Sequence, residues 1–413
     1  MGHSYVVIGD GIAGSSAAES LRANDPEADI TVLTDEGEPL YNRILIKEFA
    51  KGKLPEDPIA IHEEEWYEER EIDLELNTHV TRIEHEDHVV RTHQGESYPY
   101  DKLLIATGGT PAQLPVSNSH ADGIHHFWTF QDARKIREAA EAASEGVVIG
   151  AGLLGLDLAA ICAEQDVRAH YLMRGECWWR YALSETGAEI MHEALRERGV
   201  TPVLNSGAEH FEVDSDDRVT ATVDVNGQRY PSEFVGVAIG LAFNTEFLQG
   251  TGLDLDGGII VDEHMRTDLP DVYAAGDLTR FHDVIVNERE QNGSWGSAKM
   301  QGQVAGENMA ADAPVETFRW VSSYSVTHFD FPFLSFGHPE SGDRYIERKY
   351  DETEWRRIAI RNDKVVGGVL IGDLAPQNAL KRLIRNETMI AGREEALLAD
   401  QVDPDEIQTP IEG

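Results

Sequence analysis

Apolar residues in this chain gather in short runs that stop at glycine. Tyr5-Val6-Val7-Ile8 is followed by Gly9-Asp10-Gly11-Ile12-Ala13-Gly14, and residues 15–23 then carry a helical pattern. That order predicts a buried strand, a tight turn and a helix N-terminus. Asp29-Ile30-Thr31-Val32-Leu33 predicts a second strand, ending at Asp35-Glu36. The whole pattern returns at Gly146-Val147-Val148-Ile149, Gly150-Ala151-Gly152-Leu153-Leu154-Gly155 and helical residues 156–165, with a strand at His170-Tyr171-Leu172. Residues 80–83, 89–92 and 97–100 alternate like short antiparallel strands. So do residues 199–237, with hairpin signals at Asp216-Asp217 and Asn226-Gly227. Buried strands are predicted at 103–107, 235–240, 258–262 and 271–277. After Trp320 the pattern gives strands at 355–361 and 365–371 and helices at 377–385 and 393–399. Residues 57–71 are acidic and expected to face solvent, and the acidic last dozen residues are expected to move.

Both glycine turns fit G-x-G-x-x-G. Gly9 permits the tight turn, Gly11 lets the backbone approach a pyrophosphate, and Gly14 lets helix and strand pack closely. Gly150, Gly152 and Gly155 repeat those three roles. Each helix start offers unpaired N–H groups and a positive dipole end to phosphates. Asp35 and Glu36 fall where a ribose hydroxyl needs an acceptor. Two such units in one chain suggest two dinucleotides, a flavin and a nicotinamide.

At 413 residues the chain is expected to form two or three domains. It has no apolar run long enough to span a membrane. It begins almost on its first strand, so no signal peptide is expected. Cys162 and Cys177 are its only cysteines, which fits a reducing cytoplasm rather than a disulfide scaffold. No C-x-x-C pair or histidine cluster has metal-ligand spacing, so no iron–sulfur centre or other metal is expected. Charge changes the picture most: 75 acidic residues face 35 basic ones, a net −40. Such a surface repels nucleic acid and anionic lipid. Only nine of the basic residues are lysine, and the acids are spread along the chain. That distribution looks like a salt-adapted cytoplasmic protein of the haloarchaeal kind.

Four motifs now stand in order: the first glycine turn with Glu36, Ala106-Thr107-Gly108, the second glycine turn, and Ala275-Gly276-Asp277 at the end of "GGIIVDEHMRTDLPDVYAAGD". Over nearly the full chain they resemble the FAD-dependent pyridine nucleotide-disulfide oxidoreductase superfamily. The resemblance implies an α/β fold with two Rossmann-like dinucleotide-binding domains and a C-terminal α+β interface domain. FAD would be bound by residues 1–117 and 244–319, NAD(P) by an inserted domain at 118–243, and residues 320–413 would form the interface domain, which could serve a homodimer. It also implies that Asp277 bonds the flavin ribityl chain. Trp295, with Ala298, Gln301 and Gly302, would lie on a helix aimed at the flavin pyrimidine edge, or simply pack on the FAD domain.

Within the superfamily, thiol-reducing branches carry cysteine near Tyr41, and this chain has none there. "EPLYNRILIKEFAKG" instead resembles the rubredoxin, ferredoxin and nitrite reductase branch, which implies Arg43 beside the flavin. Lys47 takes the place of the branch's lysine near the flavin, or is a surface lysine next to Glu48. Asp157 stands where relatives have Glu near the nicotinamide. Arg174, with Arg180, resembles the arginine pair that holds the 2′-phosphate of NADP(H), and favours NADPH over NADH; Gly155 counts towards NAD(H). His125, His126 and His328 are read as structural or surface residues. The reading is hydride transfer from NAD(P)H to FAD, then electrons to a ferredoxin- or rubredoxin-like carrier. An NAD(P)H oxidase or quinone reductase, or a slow flavin-binding sensor, are the alternatives.

Overall fold

A computed structural model describes residues 2–179, 181–283 and 285–408. The chain forms two compact units. The first comprises Met1–Ile44, Glu56–Thr110 and Ala242–Ser322; the second comprises Leu45–Pro55, Pro111–Leu241 and Ser323–Gly413.

The first unit is built on a five-stranded parallel sheet, in the order Val272–Ala274, Lys102–Ile105, Ser4–Ile8, Asp29–Leu33, Ile72–Glu75. Register aligns Ile8 with Leu33 on one side and Ile105 on the other, and Ile105 with Ala274. Four carboxyl ends therefore finish level, and Gly9 leaves the sheet where the strand order reverses, the usual ligand crevice of such sheets. The inner strands Ser4–Ile8 and Lys102–Ile105 are apolar and buried after their first residue, as strands covered on both faces are. Helix Ile12–Asn24 runs against helix Trp295–Ala310 so closely that a Cβ at Gly302 would meet the Ala13 carbonyl oxygen at 2.0 Å, and one at Gly306 the Ala17 carbonyl oxygen at 2.6 Å. Val80–Glu84, Val89–Thr92 and Ser97–Pro99 form the antiparallel meander.

The second unit repeats the parallel sheet as Val200–Val203, Arg168–Leu172, Glu145–Ile149, Phe234–Val237, Ile124–His126. Helix Leu153–Glu164 follows its central strand and is buried over most of its length. The unit also holds an antiparallel sheet of Ser323–Val326, Phe333–Gly337, Lys364–Ile371, Trp355–Arg361 and Arg344–Lys349.

The structure departs from expectation in four places. The acidic stretch 57–71 is not all solvent-facing, since Tyr67 on helix Glu64–Glu68 is fully buried. The helix expected at 393–399 shrinks to Glu394–Leu397. Its next carbonyls are taken by side chains instead: Arg356 Nη1 donates to Leu397 and Ala399, while Tyr350 Oη and Arg348 Nη1 donate to Leu398. Part of the tail expected to move is a helical turn, Pro404–Gln408, with Ile407 buried and Asp405 paired to Arg382. His328, read as structural or surface, is buried in a charge network.

Candidate functional site

In the first glycine turn Gly9 sits at φ +107°, a region that L side chains rarely adopt, and its N–H donates to Leu33 O at 2.7 Å. A Cβ there would meet Ala106 O at 2.4 Å, and a Cβ at Gly14 would meet Gly9 O at 1.8 Å. Around Gly11 nothing lies within 4 Å of that position, and no side chain caps the helix it begins. Gly9 and Gly14 are thus demanded by the protein's own packing. Gly11 opens onto space in front of uncapped N–H groups, which suits a pyrophosphate.

Asp10, Gly11, Thr34, Glu36, Tyr41 and Arg43 line one cleft beside this turn. Tyr41 Oη donates to Glu36 Oε2 at 2.6 Å, and Arg43 donates to Glu36 Oε1. The Arg43 guanidinium lies over the Tyr41 ring, 5.1 Å from its centroid. Asp35 is not brought into the cleft; it is exposed, 3.7 Å from His79. Asp277 is half-buried, and the burial it has pushes its carboxyl up to about 6 against the pull of Arg43. Before it, Gly276 sits at φ +94° and donates its N–H to Gln301 Oε1 at 2.8 Å. Gln301 is on the helix that Trp295 begins, where Ser294 Oγ caps Ser297 N–H. Ala106 continues its strand by donating to Ile8 O, Thr107 is exposed, and Gly108 turns at φ +57°.

The sequence reading passed over Asp10. Tyr67 Oη lies 2.8 Å from both of its carboxylate oxygens, and burial pushes the carboxyl up to about 7 despite that bond. The signal was available: an acid inside a phosphate-binding glycine turn is electrostatically out of place unless something restrains its charge.

The second turn repeats the backbone device. Gly150 sits at φ +117°; its Cβ would meet Ala238 O at 1.9 Å, and that of Gly155 would meet Gly150 O at 2.0 Å. Gly152 is open and begins an uncapped helix. Tyr171 Oη donates to Gly150 O at 2.8 Å. Arg174, past the second strand, is exposed with its stem across Gly207. Arg180 lies outside the described residues.

Lys47 and Asp157 are brought together: Lys47 Nζ is 3.6 Å from Asp157 Oδ1. His328 Nε2 lies 2.5 Å from the same oxygen, and its Nδ1 is 2.8 Å from Lys51 Nζ. Lys51 also donates to Glu48 Oε1 at 2.8 Å. Burial would push the Glu48 carboxyl up, but the Lys51 bond and charge hold it below its usual range. Burial pulls the Lys51 ammonium down, partly offset by Glu48. Neither cysteine is in a disulfide; Cys162 is buried and its thiol is pushed up to about 12. Among the described residues no group of three His, Cys, Asp or Glu side chains could hold a metal ion, and no helix is long and apolar enough to cross a membrane.

The sequence profile described as pyridine nucleotide-disulphide oxidoreductase matches residues 3–302. The chain belongs to that family. A second profile, rubredoxin NAD+ reductase C-terminal domain, matches residues 326–388. As a pyridine nucleotide-disulphide oxidoreductase family member, the protein is an oxidoreductase that uses FAD and NAD(P)H. Both glycine turns fit such ligands, because each leaves open the one position where a pyrophosphate must approach. Putidaredoxin reductase of Pseudomonas putida is 28% identical over 97% of this chain and 95% of its own. The NAD(P)H nitrite reductase of Bacillus subtilis is 28% identical over 94% of this chain, which spans 48% of that protein's length. Among solved structures, the covalent putidaredoxin reductase–putidaredoxin complex matches with a TM-score of 0.92 at 25% identity, covering 98% of both chains.

Proposed function

We propose that this protein oxidises NAD(P)H at a bound FAD and passes the electrons to a small ferredoxin- or rubredoxin-like carrier protein. One observation carries the reading. Two open glycine turns stand in one chain whose two cysteines form no disulfide, one of them a buried, poorly acidic thiol. With no thiol acceptor of its own near Tyr41, the chain needs an acceptor from outside. Relatives named for reducing putidaredoxin and rubredoxin support a carrier in that role.

When bound, the flavin supplies the exchange of a hydride for single electrons; the protein supplies binding, orientation and charge. Gly9, Gly11 and Gly14 set the FAD pyrophosphate against a helix start, Glu36 accepts from its ribose, and Arg43, Ala106, Thr107, Gly108, Gly276, Asp277 and Trp295 surround the rest. Gly150, Gly152 and Gly155 do the same for the nicotinamide dinucleotide. Arg174 and Arg180 take a 2′-phosphate, so NADPH is preferred. Lys47 stands near the flavin and Asp157 near the nicotinamide. We read residues 1–117 and 244–319 as the FAD domain, 118–243 as the NAD(P) domain and 320–413 as an interface domain that could serve a homodimer. The acidic surface is read as tuned to a salty cytoplasm.

The test is anaerobic stopped-flow reduction of the purified flavoprotein in high salt, with NADPH and NADH compared, followed by mixing with oxidised ferredoxin and rubredoxin. Fast bleaching by NADPH and fast reoxidation by a carrier are expected. Reoxidation by oxygen or quinone alone, at the full turnover rate, would reject the carrier.

A further inference from the structure

The charge network around Asp157 contains more than a nicotinamide site needs. Helix Ile46–Ala50 presents Lys47, and its C-cap residue, one turn on and still with helical backbone angles, is Lys51. Positions four apart share a helix face, so both ammoniums approach Asp157 and His328 from one side. Lys51 is 3% exposed. An ammonium buried to that degree is destabilising unless acceptors surround it. Its acceptors are Glu48 Oε1 and the Nδ1 of His328, each at 2.8 Å.

That arrangement fixes the imidazole. An ammonium has donors only, so Nδ1 accepts from Lys51. The ring proton is then on Nε2 and is donated to Asp157 Oδ1 at 2.5 Å. Donation runs one way through the chain, from Lys51 to His328 to Asp157, with Glu48 anchoring Lys51 behind. Two carboxylates balance two ammoniums with a neutral ring between them. The backbone is shaped for this: Phe329 and Asp330, directly after His328, sit at φ 60° and 55°, conformations that cost non-glycine residues energy. Arg198 pairs with Asp330 across that turn. A cavity of about 260 Å³ borders Lys51 and His328, and the pairs Lys53–Glu164 and Arg198–Asp330 line it.

We propose that His328 is a positioning residue: its Nε2–H holds the Asp157 carboxylate in one orientation, and Lys51 with Glu48 keeps that hydrogen bond pointing one way. The proposal rests on the reading that Asp157 faces the nicotinamide. The carboxylate then meets the dinucleotide already oriented, so His328 affects the rate of hydride transfer and leaves affinity alone.

The test compares His328→Leu, His328→Gln, Asp157→Asn and the double variant His328→Leu/Asp157→Asn in the flavin-loaded protein. Glutamine keeps a donor towards Asp157 and an acceptor towards Lys51. His328→Leu is expected to slow anaerobic flavin reduction about tenfold to a hundredfold, as displaced catalytic groups do. The dissociation constant of the oxidised dinucleotide, by calorimetry, should stay within about twofold, and His328→Gln should recover most of the rate. The double variant should be no slower than Asp157→Asn alone, because His328 acts through Asp157. Independently of turnover, ¹⁵N spectra of the imidazole should show the proton on Nε2, and a proton on Nδ1 would overturn the proposal. So would His328→Gln no faster than His328→Leu, or His328→Leu at full rate while Asp157→Asn is slow. If Asp157→Asn itself reduces at full rate, the nicotinamide reading of Asp157 fails and the proposal falls with it.

Discussion

The two glycine turns share one backbone and differ in the side chains around it. In both, the first glycine takes a left-handed turn and the third clears a carbonyl oxygen; the middle one stays open. Each turn also recruits a tyrosine hydroxyl from elsewhere in its unit. In the first, Tyr67 bonds the side chain of Asp10; in the second, Tyr171 bonds the backbone carbonyl of Gly150. Past the second strand, the first unit places Glu36 under Tyr41 and Arg43, and the second leaves Arg174 exposed. On the proposed reading, backbone geometry provides the cradle for a dinucleotide and a few side chains choose which one. The first turn is flanked by paired side chains, as would suit a resident cofactor, and the second by an exposed arginine, as would suit a substrate that must leave.

The strongest way to break the comparison is to fill the shared glycine. Gly14→Ala puts a Cβ 1.8 Å from Gly9 O. We expect protein purified without flavin, read from its visible absorbance, with affinity down about a hundredfold or more. Gly155→Ala should leave the flavin in place and weaken nicotinamide binding instead. If Gly14→Ala keeps its flavin, the first turn is not the FAD cradle.

Next in size are the side chains that separate the turns. Arg174→Ala should raise the NADPH dissociation constant roughly tenfold to a hundredfold and leave that for NADH within about twofold. Equal losses for both would end the phosphate reading. Glu36→Gln should cost about tenfold in FAD affinity and leave both nicotinamide constants untouched.

A subtler difference is pH. In the folded apoprotein Asp10 and Asp277 hold their protons up to about 7 and about 6, against 3.8 for the ordinary group. Between these limits the folded state binds more protons than the unfolded one. Stability is therefore full at low pH and lost as pH rises from about 4 to 7, an effect on the order of a few kcal/mol. Asp10→Asn mimics the protonated form, so its urea midpoint at pH 8 should exceed that of the wild-type apoprotein, with a shallower pH slope. An unchanged slope would mean that Asp10 is ionised. The second turn, which has no such acid, should add nothing to this dependence. The smallest effect is general: with a net charge of −40, raising KCl should raise the midpoints of both units alike.

What could be read in advance follows from distance along the chain. The strands of both parallel sheets and the glycine turns are local patterns, and strand Asp29–Leu33 falls where its apolar run does. Helix Phe130–Ala142 escaped notice, although Thr129 and Asp132 spell a capping box in the sequence. The charge network could not be read that way. Lys51 and His328 are 277 positions apart, and Asp10 and Tyr67 are 57 apart. Nothing in the type of Phe329 announces left-handed backbone, although Asp330 is of a type that adopts it more readily. Arg43 and Glu36 were legible separately; that they neutralise each other became clear only with the cleft.

The joint between helices Ile12–Asn24 and Trp295–Ala310 has a consequence for how this protein can change. Carbonyl oxygens of Ala13 and Ala17 occupy the places where β-carbons at 302 and 306 would stand. The axes are therefore held closer than side chains at those two positions would allow. Neither helix can be re-aimed by itself, so the direction in which each start faces is inherited as a pair. Variation that adjusts what lies before those starts is confined to the loops ahead of them, and a side chain gained at 302 must be answered by a shift of its neighbour's whole first turn.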